Sequence, residues 1–522
     1  MNTTAVPASA ARPALVGLSL SMLLTALGTS IAPVALPTLA HAFSASFQEV
    51  QWVVLAHLLT VTALVVGAGR LGDVLGRRRL FLAGTALFTG ASVLCGAAPS
   101  LWLLIGARAA QGVGAAVMMA LTMAFVGDAV PKARTGRAMG LLGTMSAVGT
   151  ALGPSLGGAL IAGFGWRALF LANVPLGLLT LFLVRRHLPA DRPRGGSGAA
   201  AGTGPTAGAG AGRARFDGVG TLLLALALAA YALAMTLGRD GSGLLRTGLL
   251  LAAALGAGLF VRSQARAASP LLPRSVLRTP GLRAALATNA LVSTVMMTTL
   301  VVGPFQLSRA LGLGTALTGL LLAVGPLVAA VAGVPAGQLA DRFGAPRTTV
   351  VGLAATAAGA LALAVGPAGL GAVGYVAPLA VLTAGYAVFQ TANNAAVMAD
   401  VPSDRRGVVS GALGLSRNLG LVTGASVMGA VFALAAAAGD VATASPAAVA
   451  AATRITFAVA AALVLLALAL ALAVAAGGRT RFRPRFRPRS GAARTADLTP
   501  RRDPAGDGTA ARPGTDATRP GS

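Results

Sequence analysis

The chain has 522 residues, of which 55% are hydrophobic and 11% charged, with a formal net charge of +27 and a mean hydropathy of +0.78. Soluble domains carry about 25% charged residues, so this chain lacks the polar surface for several globular domains and reads as one body in lipid. Its single cysteine, Cys95, excludes a disulfide framework, a CxxC redox pair and a thiolate zinc cluster.

About 20 apolar helical residues cross a bilayer core, and fourteen such runs follow one another. They lie near 13–39, 51–69, 80–98, 101–126, 137–160, 166–184, 218–237, 244–261, 283–305, 315–336, 347–366, 372–397, 407–436 and 453–475. The first is too long for a signal-peptide core and is kept as a spanning helix. Basic residues follow the even-numbered runs: Arg70, Arg77, Arg78 and Arg79; Lys132, Arg134 and Arg137; Arg185, Arg186, Arg192, Arg194, Arg213 and Arg215; Arg262, Arg266, Arg274 and Arg278; Arg342 and Arg347; Arg405 and Arg406. The odd connectors carry few. The positive-inside rule therefore expects both termini and the even connectors in the cytoplasm. The charge is explained by topology, and nucleic acid is not needed as a partner.

Two segments read as unstructured. Residues 190–212 are rich in Gly, Ala, Pro and Ser, as a flexible linker would be. The tail after Gly478 opens with an arginine-rich run, Arg479 to Arg489. That run either holds anionic lipid headgroups or is a solvated segment that fixes topology.

An internal repeat indicates a duplicated bundle. Gly69-Arg70-Leu71-Gly72-Asp73-Val74-Leu75-Gly76-Arg77 lies between the second and third runs. Gly337-Gln338-Leu339-Ala340-Asp341-Arg342-Phe343-Gly344 recurs between the tenth and eleventh. Glycines there permit a tight turn and close helix approach, and the aspartate can pair with arginine or a helix N-terminus. In the fifth run Gly140, Gly149, Gly153, Pro154, Gly157 and Gly158 would let a neighbour pack closely, with Pro154 freeing a carbonyl and bending the helix.

These residues carry a resemblance. The G-x-L-x-D-x-x-G frame resembles the signature loop of the major facilitator superfamily. The fifth-run pattern reproduces the antiporter motif of its fourteen-helix drug:proton antiporter family without a mismatch. Arg108-Ala109-Ala110-Gln111-Gly112 resembles the fourth-helix motif, whose arginine is implicated in proton transfer. Trp166-Arg167 with Phe170, Asn173 and Pro175, Gln51-Trp52, and Ser416-Arg417-Asn418 resemble further family segments. The resemblance implies an all-α integral membrane protein with the major facilitator fold: a bundle over 13–184, a linker over 185–217, two additional helices over 218–261, a connector over 262–282 and a second bundle over 283–475. Residues 1–12 and 476–522 would be cytoplasmic ends.

Candidate substrate or proton-pathway residues are Arg108, Gln111, His57, Arg417, Asn393 and Asn394. Arg108 and Gln111, three apart, share a helix face, and an arginine inside a span is paired, cavity-facing or functional. His57 is a mid-helix imidazole that is either a proton carrier or a packed ring. Asn393 and Asn394 serve either a substrate or helix packing. The signature frames around Gly69, Asp73, Gly76, Arg77, Gly337, Asp341 and Gly344 are expected to act as cytoplasmic gates. One departure stands out: where the family usually places an aspartate in the first helix, this chain has Gly28. Arg108 then lacks that partner, and a carboxylate-bearing substrate is one expected compensation; backbone carbonyls and Gln111 are the other.

The function implied is proton-gradient-driven export of a small molecule, such as an antibiotic, across the cell membrane by alternating access, with uptake symport as the alternative. The partners are the substrate, protons and lipid; the chain is expected to be monomeric, without cofactor, metal or enzymatic activity. No G-x-x-x-x-G-K-[ST] phosphate loop is present, since the only lysine is Lys132 after Val130-Pro131. His41, His57 and His187 are scattered. Reporter fusions at either terminus or near Gly204 are expected to read cytoplasmic; an external reading at Gly204 overturns the fourteen-span topology.

Overall fold

The computed structural model describes residues 8–129, 135–188, 218–236, 243–266, 280–366, 370–399, 401, 406–436, 441 and 443–481. The Ala190–Gly212 linker, Lys132 and nearly all of the arginine-rich tail lie outside them, as do the side chains of Arg70, Asp73 and Gly140's neighbours. Residues 1–478 form one compact unit; 479–522 form a second, of which only the helical Arg479–Arg481 are described.

Among the described residues, fourteen helices are long and apolar enough to cross a bilayer. We label them α1 (Ala8–Ser30), α2 (Phe47–Leu75), α3 (Arg77–Ala97), α4 (Leu101–Ala129), α5 (Thr135–Phe164), α6 (Asn173–His187), α7 (Gly218–Thr236), α8 (Gly243–Arg266), α9 (Pro280–Phe305), α10 (Thr315–Phe343), α11 (Ala345–Val365), α12 (Gly371–Ala399), α13 (Arg406–Thr423) and α14 (Pro446–Arg481). A 3-10 turn and a short helix, Leu36–Phe43, prolong α1; Trp166–Leu171 leads into α6. π-helical segments, Gln306–Ala310 and Gly424–Met428, extend α9 and α13.

Local chemistry sets several boundaries. Helix α2 starts earlier than the apolar run suggests because Ser46 and Glu49 form a capping box: Glu49 N donates to Ser46 Oγ at 3.3 Å, and Ser46 N donates to the Glu49 carboxylate at 2.8 Å. Glu49 is therefore part of a helix cap. The repeated frames are not loops. Residues 69–75 and 337–343 continue α2 and α10, and each frame turns on its last glycine alone, Gly76 at φ 98° and Gly344 at φ 83°. A side chain at either would be strained. Each turn is closed the same way, by N–H bonds of 3.0 Å to Gly72 O and Ala340 O. Gly69 and Gly337 face open space in this conformation. Asp341 is exposed.

The first six helices pack on one another, α1 against α5 and α6, α2 against α4, and α3 against α4 and α6. Among the later ones α9 packs on α13, while α10 and α11 pack on α12. Two seams join the sets, α5 with α10 and α2 with α13. The antiporter-type glycines serve two partners rather than one. Gly149, Gly153 and Gly157 face α1, where a Cβ at Gly149 would stand 2.5 Å from Leu23 O, and one at Gly153 would overlap Ser30. Gly158 turns to α10, where its Cβ would stand 2.8 Å from Gly319 Cα.

The sets meet at one end. Phe47 packs edge-on against Phe305 and Phe432, with centroids 5.1 and 5.7 Å apart. The Gln51 amide donates to Ala425 O, and Arg309 Nη2 donates to His41 Nε2 at 2.6 Å. Toward the opposite end, Cβ atoms built on Gly69, Gly333, Gly337, Gly411 and Gly414 would meet nothing within 4 Å. Overpacking a tight contact costs about 1–3 kcal/mol. Gly153→Leu is therefore expected to lower the thermal stability of the purified protein, whereas Gly163→Leu, in open space, leaves it unchanged. Equal melting temperatures for the two variants would refute the packing account.

Candidate functional site

Arg108 is wholly buried among α1, α2, α3 and α4. Its Nε donates to Val53 O at 2.9 Å, and Nη1 donates to Gly28 O at 3.0 Å and to Gln111 Oε1. Gln111 Nε2 in turn donates to Ser92 Oγ at 2.7 Å, which donates to Phe88 O at 2.8 Å. The Phe170 ring lies 5.9 Å from the guanidinium carbon. Gly28 belongs to the last turn of α1, where helix carbonyls lack a following turn to donate to them. The glycine that stands where the resemblance expects an acid thus meets Arg108 through its main-chain carbonyl. Its lack of a side chain matters too: a Cβ there would stand 3.0 Å from Phe88 Cζ, so a carboxylate could enter only if Phe88 moved.

Of the two expected compensations for Arg108, backbone carbonyls and Gln111 are the partners seen in the structure, on Nε and Nη1. One atom, Nη2, is buried without a hydrogen-bond partner among the described residues.

His57 joins this cluster. Its ring is wholly buried, with Nε2 3.5 Å from Thr29 Oγ1 and Nδ1 without a partner. The ring also lies against Gly28, whose Cβ would stand 3.9 Å from His57 Cε1. The structure therefore brings His57, Arg108 and Gln111 together as one polar island and adds Thr29, Ser92 and two carbonyls that sequence reasoning missed. The threonine beside Gly28 was the available signal; the carbonyls have none.

Arg417, Asn393 and Asn394 lie on α13 and α12, and no hydrogen bond links them to that island. Arg417 Nε, Asn393 Nδ2 and Asn394 Oδ1 are buried atoms without partners, as are Gln390 Oε1, Asn418 Nδ2, Asn289 Oδ1 and Ser293 Oγ. These last four were not singled out from sequence. Asn289 also holds α9 to α13, donating to Leu413 O at 3.0 Å, while Ser416 Oγ donates to Leu286 O at 2.5 Å. The Ser416-Arg417-Asn418 segment is thereby fixed on the α9 side. The second set of helices thus carries amides and one guanidinium with unused hydrogen-bonding capacity.

A cavity of about 230 Å³ lies elsewhere, at the end where the helix sets meet, lined by Gln306, Tyr375, Thr453, Arg454 and small residues. None of the expected site residues lines it. Among the described residues no group of His, Cys, Asp and Glu could hold a metal ion.

Comparison with known proteins agrees with this architecture. The multidrug efflux pump LfrA of Mycolicibacterium smegmatis is 31% identical over 433 residues, covering 83% of this chain and 82% of that protein. The riboflavin transporter RibZ of Clostridioides difficile is 26% identical over 419 residues, covering 80% and 88%. A bacterial homologue of the human lysosomal transporter Spinster, solved in an inward-facing and unoccupied conformation, superposes with a TM-score of 0.65 at 18% identity, covering 91% of this chain and 99% of that one. The family model of the Major Facilitator Superfamily matches residues 18–425, so this chain is a multi-pass membrane transporter belonging to that superfamily.

Proposed function

We propose that the protein exports a small molecule from the cytoplasm, driven by the proton gradient, through alternating access between a bundle of α1–α6 and a bundle of α9–α14, with α7 and α8 as additional helices. The observation that carries the reading is the one-ended contact between the helix sets. Aromatic rings, the Gln51–Ala425 bond and the Gly158–Gly319 approach join them at one end, while the glycines toward the other end face open space. Positive-inside topology assigns the joined end to the outside and the termini to the cytoplasm. The arrangement is then closed outside and open inside, ready to load from the cytoplasm. That relatives such as LfrA and JefA are named as efflux pumps supports the outward direction.

Substrate chemistry follows from the unused polar atoms. Asn393, Asn394, Gln390 and Asn418 offer neutral donors and acceptors, and Arg417 adds a cationic donor. A hydrogen-bonding substrate without fixed positive charge fits that set. An organic cation would need a carboxylate, and the acids of the described residues, Glu49 and Asp341 among them, sit at helix ends. Arg108, tied to α1 and α2 through Gly28 and Val53, acts as a positioning residue, and His57 as a candidate proton carrier beside it. The signature frames at Asp73 and Asp341 are the inner gates of this cycle.

Two outcomes test the reading. In proteoliposomes with no nucleotide, an imposed proton gradient drives accumulation of a neutral or zwitterionic antibiotic, and a protonophore collapses it; transport indifferent to the gradient overturns proton coupling. Asn393→Ala with Asn394→Ala is expected to raise the apparent KM at least several-fold, since each buried hydrogen bond contributes about 0.5–1.5 kcal/mol. Unchanged KM, with normal membrane abundance, removes those residues from the substrate path.

A further inference from the structure

The contact between His41 and Arg309 differs in kind from everything else that closes the joined end. The rings of Phe47, Phe305 and Phe432 and the Gln51–Ala425 bond involve groups that do not titrate. His41 does. It stands in the last turn of the Leu36–Phe43 helix, exposed at the mouth, and its Nε2 lies 2.6 Å from Arg309 Nη2 in the π-helical segment after α9. Arginine can only donate, so Nε2 is the acceptor and the imidazole that makes this bond is neutral. Adding a proton removes the lone pair that accepts and places two cations in contact.

We propose that His41 is a proton-binding gate residue: external acid protonates it, breaks its bond to Arg309 and biases the joined end toward opening. The inference rests on the orientation and proton coupling argued above, and it deepens them by naming where an external proton acts first. It is separate from any group that carries a proton through the membrane.

Among the described residues, none of the charged groups on the neighbouring elements other than Arg309 is bonded to His41. On α2, Glu49 is engaged by Ser46 N and Oγ at 2.8 Å each. At the entry to α6, Arg167 stacks 4.5 Å over the Trp166 ring and donates to Ala98 O at 3.5 Å. On α14, Arg454 is exposed and adds a further positive charge at this end. No carboxylate is hydrogen-bonded to His41 among the described residues; Asp240 and Asp440 lie outside them. The helix that carries His41 is itself held by Phe43 against Trp166, centroids 5.2 Å apart. The released contact therefore acts on the seam between the helix sets and not on a fraying end.

The test uses the full chain in lipid nanodiscs, with Cys95→Ser to remove the native thiol and spin labels at Ser100→Cys and Ser445→Cys. These two positions are exposed, one on each helix set at the joined end. As pH falls from 8 to 5, the short inter-label distance is expected to give way to a longer one. His41→Gln keeps an acceptor for Arg309 that cannot titrate, and is expected to hold the short distance throughout. Arg309→Gln removes the repulsion and is expected to lose the response as well. An unresponsive wild-type distance, or an equal response in His41→Gln, overturns the proposal. Gradient-driven transport in proteoliposomes is scored separately. Its absence alongside an intact pH-dependent opening would refute proton-driven export and leave the gate standing.

Discussion

Water is absent from the hydrocarbon core, so a backbone carbonyl released from its helix there must find its partner inside the protein. Places where the α-helical ladder is interrupted are consequently the places where distant parts of this chain are bonded together. The π-helical segment after α13 presents the Ala425 carbonyl to Gln51 from α2. The one after α9 carries Arg309 to His41. The end of α1 presents the Gly28 carbonyl to Arg108. Each interruption would be a defect alone, and each is matched by a side chain from another helix. The Gln51–Ala425 and Arg108–Gly28 bonds thus share one physical origin.

The same constraint explains how small residues are used. Helices in lipid gain little from apolar burial against one another, so close approach and packing carry their association. Gly158 against Gly319 lets α5 and α10 touch at the joined end, while Gly149 and Gly153 press α5 onto α1. The fifth helix is therefore bound on one face within its own set and on another across the seam. A rocking motion has to preserve the first contact while breaking the second.

Much of the fold was legible in the sequence because the signal is length and hydropathy, and each expected run falls within or overlaps one observed span. The repeat was also legible as a duplicated turn, since Gly76 and Gly344 adopt nearly the same positive φ. Contacts add what the pattern could not show: the frames continue their helices up to the last glycine, and Gly69 and Gly337 meet no neighbour in this conformation. The Ser46–Glu49 spacing carries the capping signature that starts α2. The Arg108 site was half legible. Spacing joined it to Gln111, but its other partners are main-chain carbonyls, which every residue possesses and no sequence distinguishes. The orphaned atoms of Gln390 and Asn418 were invisible for a related reason, because an amide on an apolar helix shows its face only once its neighbours are placed.

Helix α7 packs against α2 and the end of α13, with Trp52 Nε1 donating to Thr236 Oγ1 at 3.1 Å and Tyr231 Oη to Thr423 Oγ1 at 3.4 Å. Helix α8 lies along α7 with most of its apolar stretch exposed. The α2–α13 flank is thus screened by an extra hairpin, and no such hairpin packs on the α5–α10 flank. Among the described residues the protein thus presents two unlike flanks to the lipid: one covered by an added helix pair, the other closed directly by the Gly158–Gly319 approach of α5 and α10.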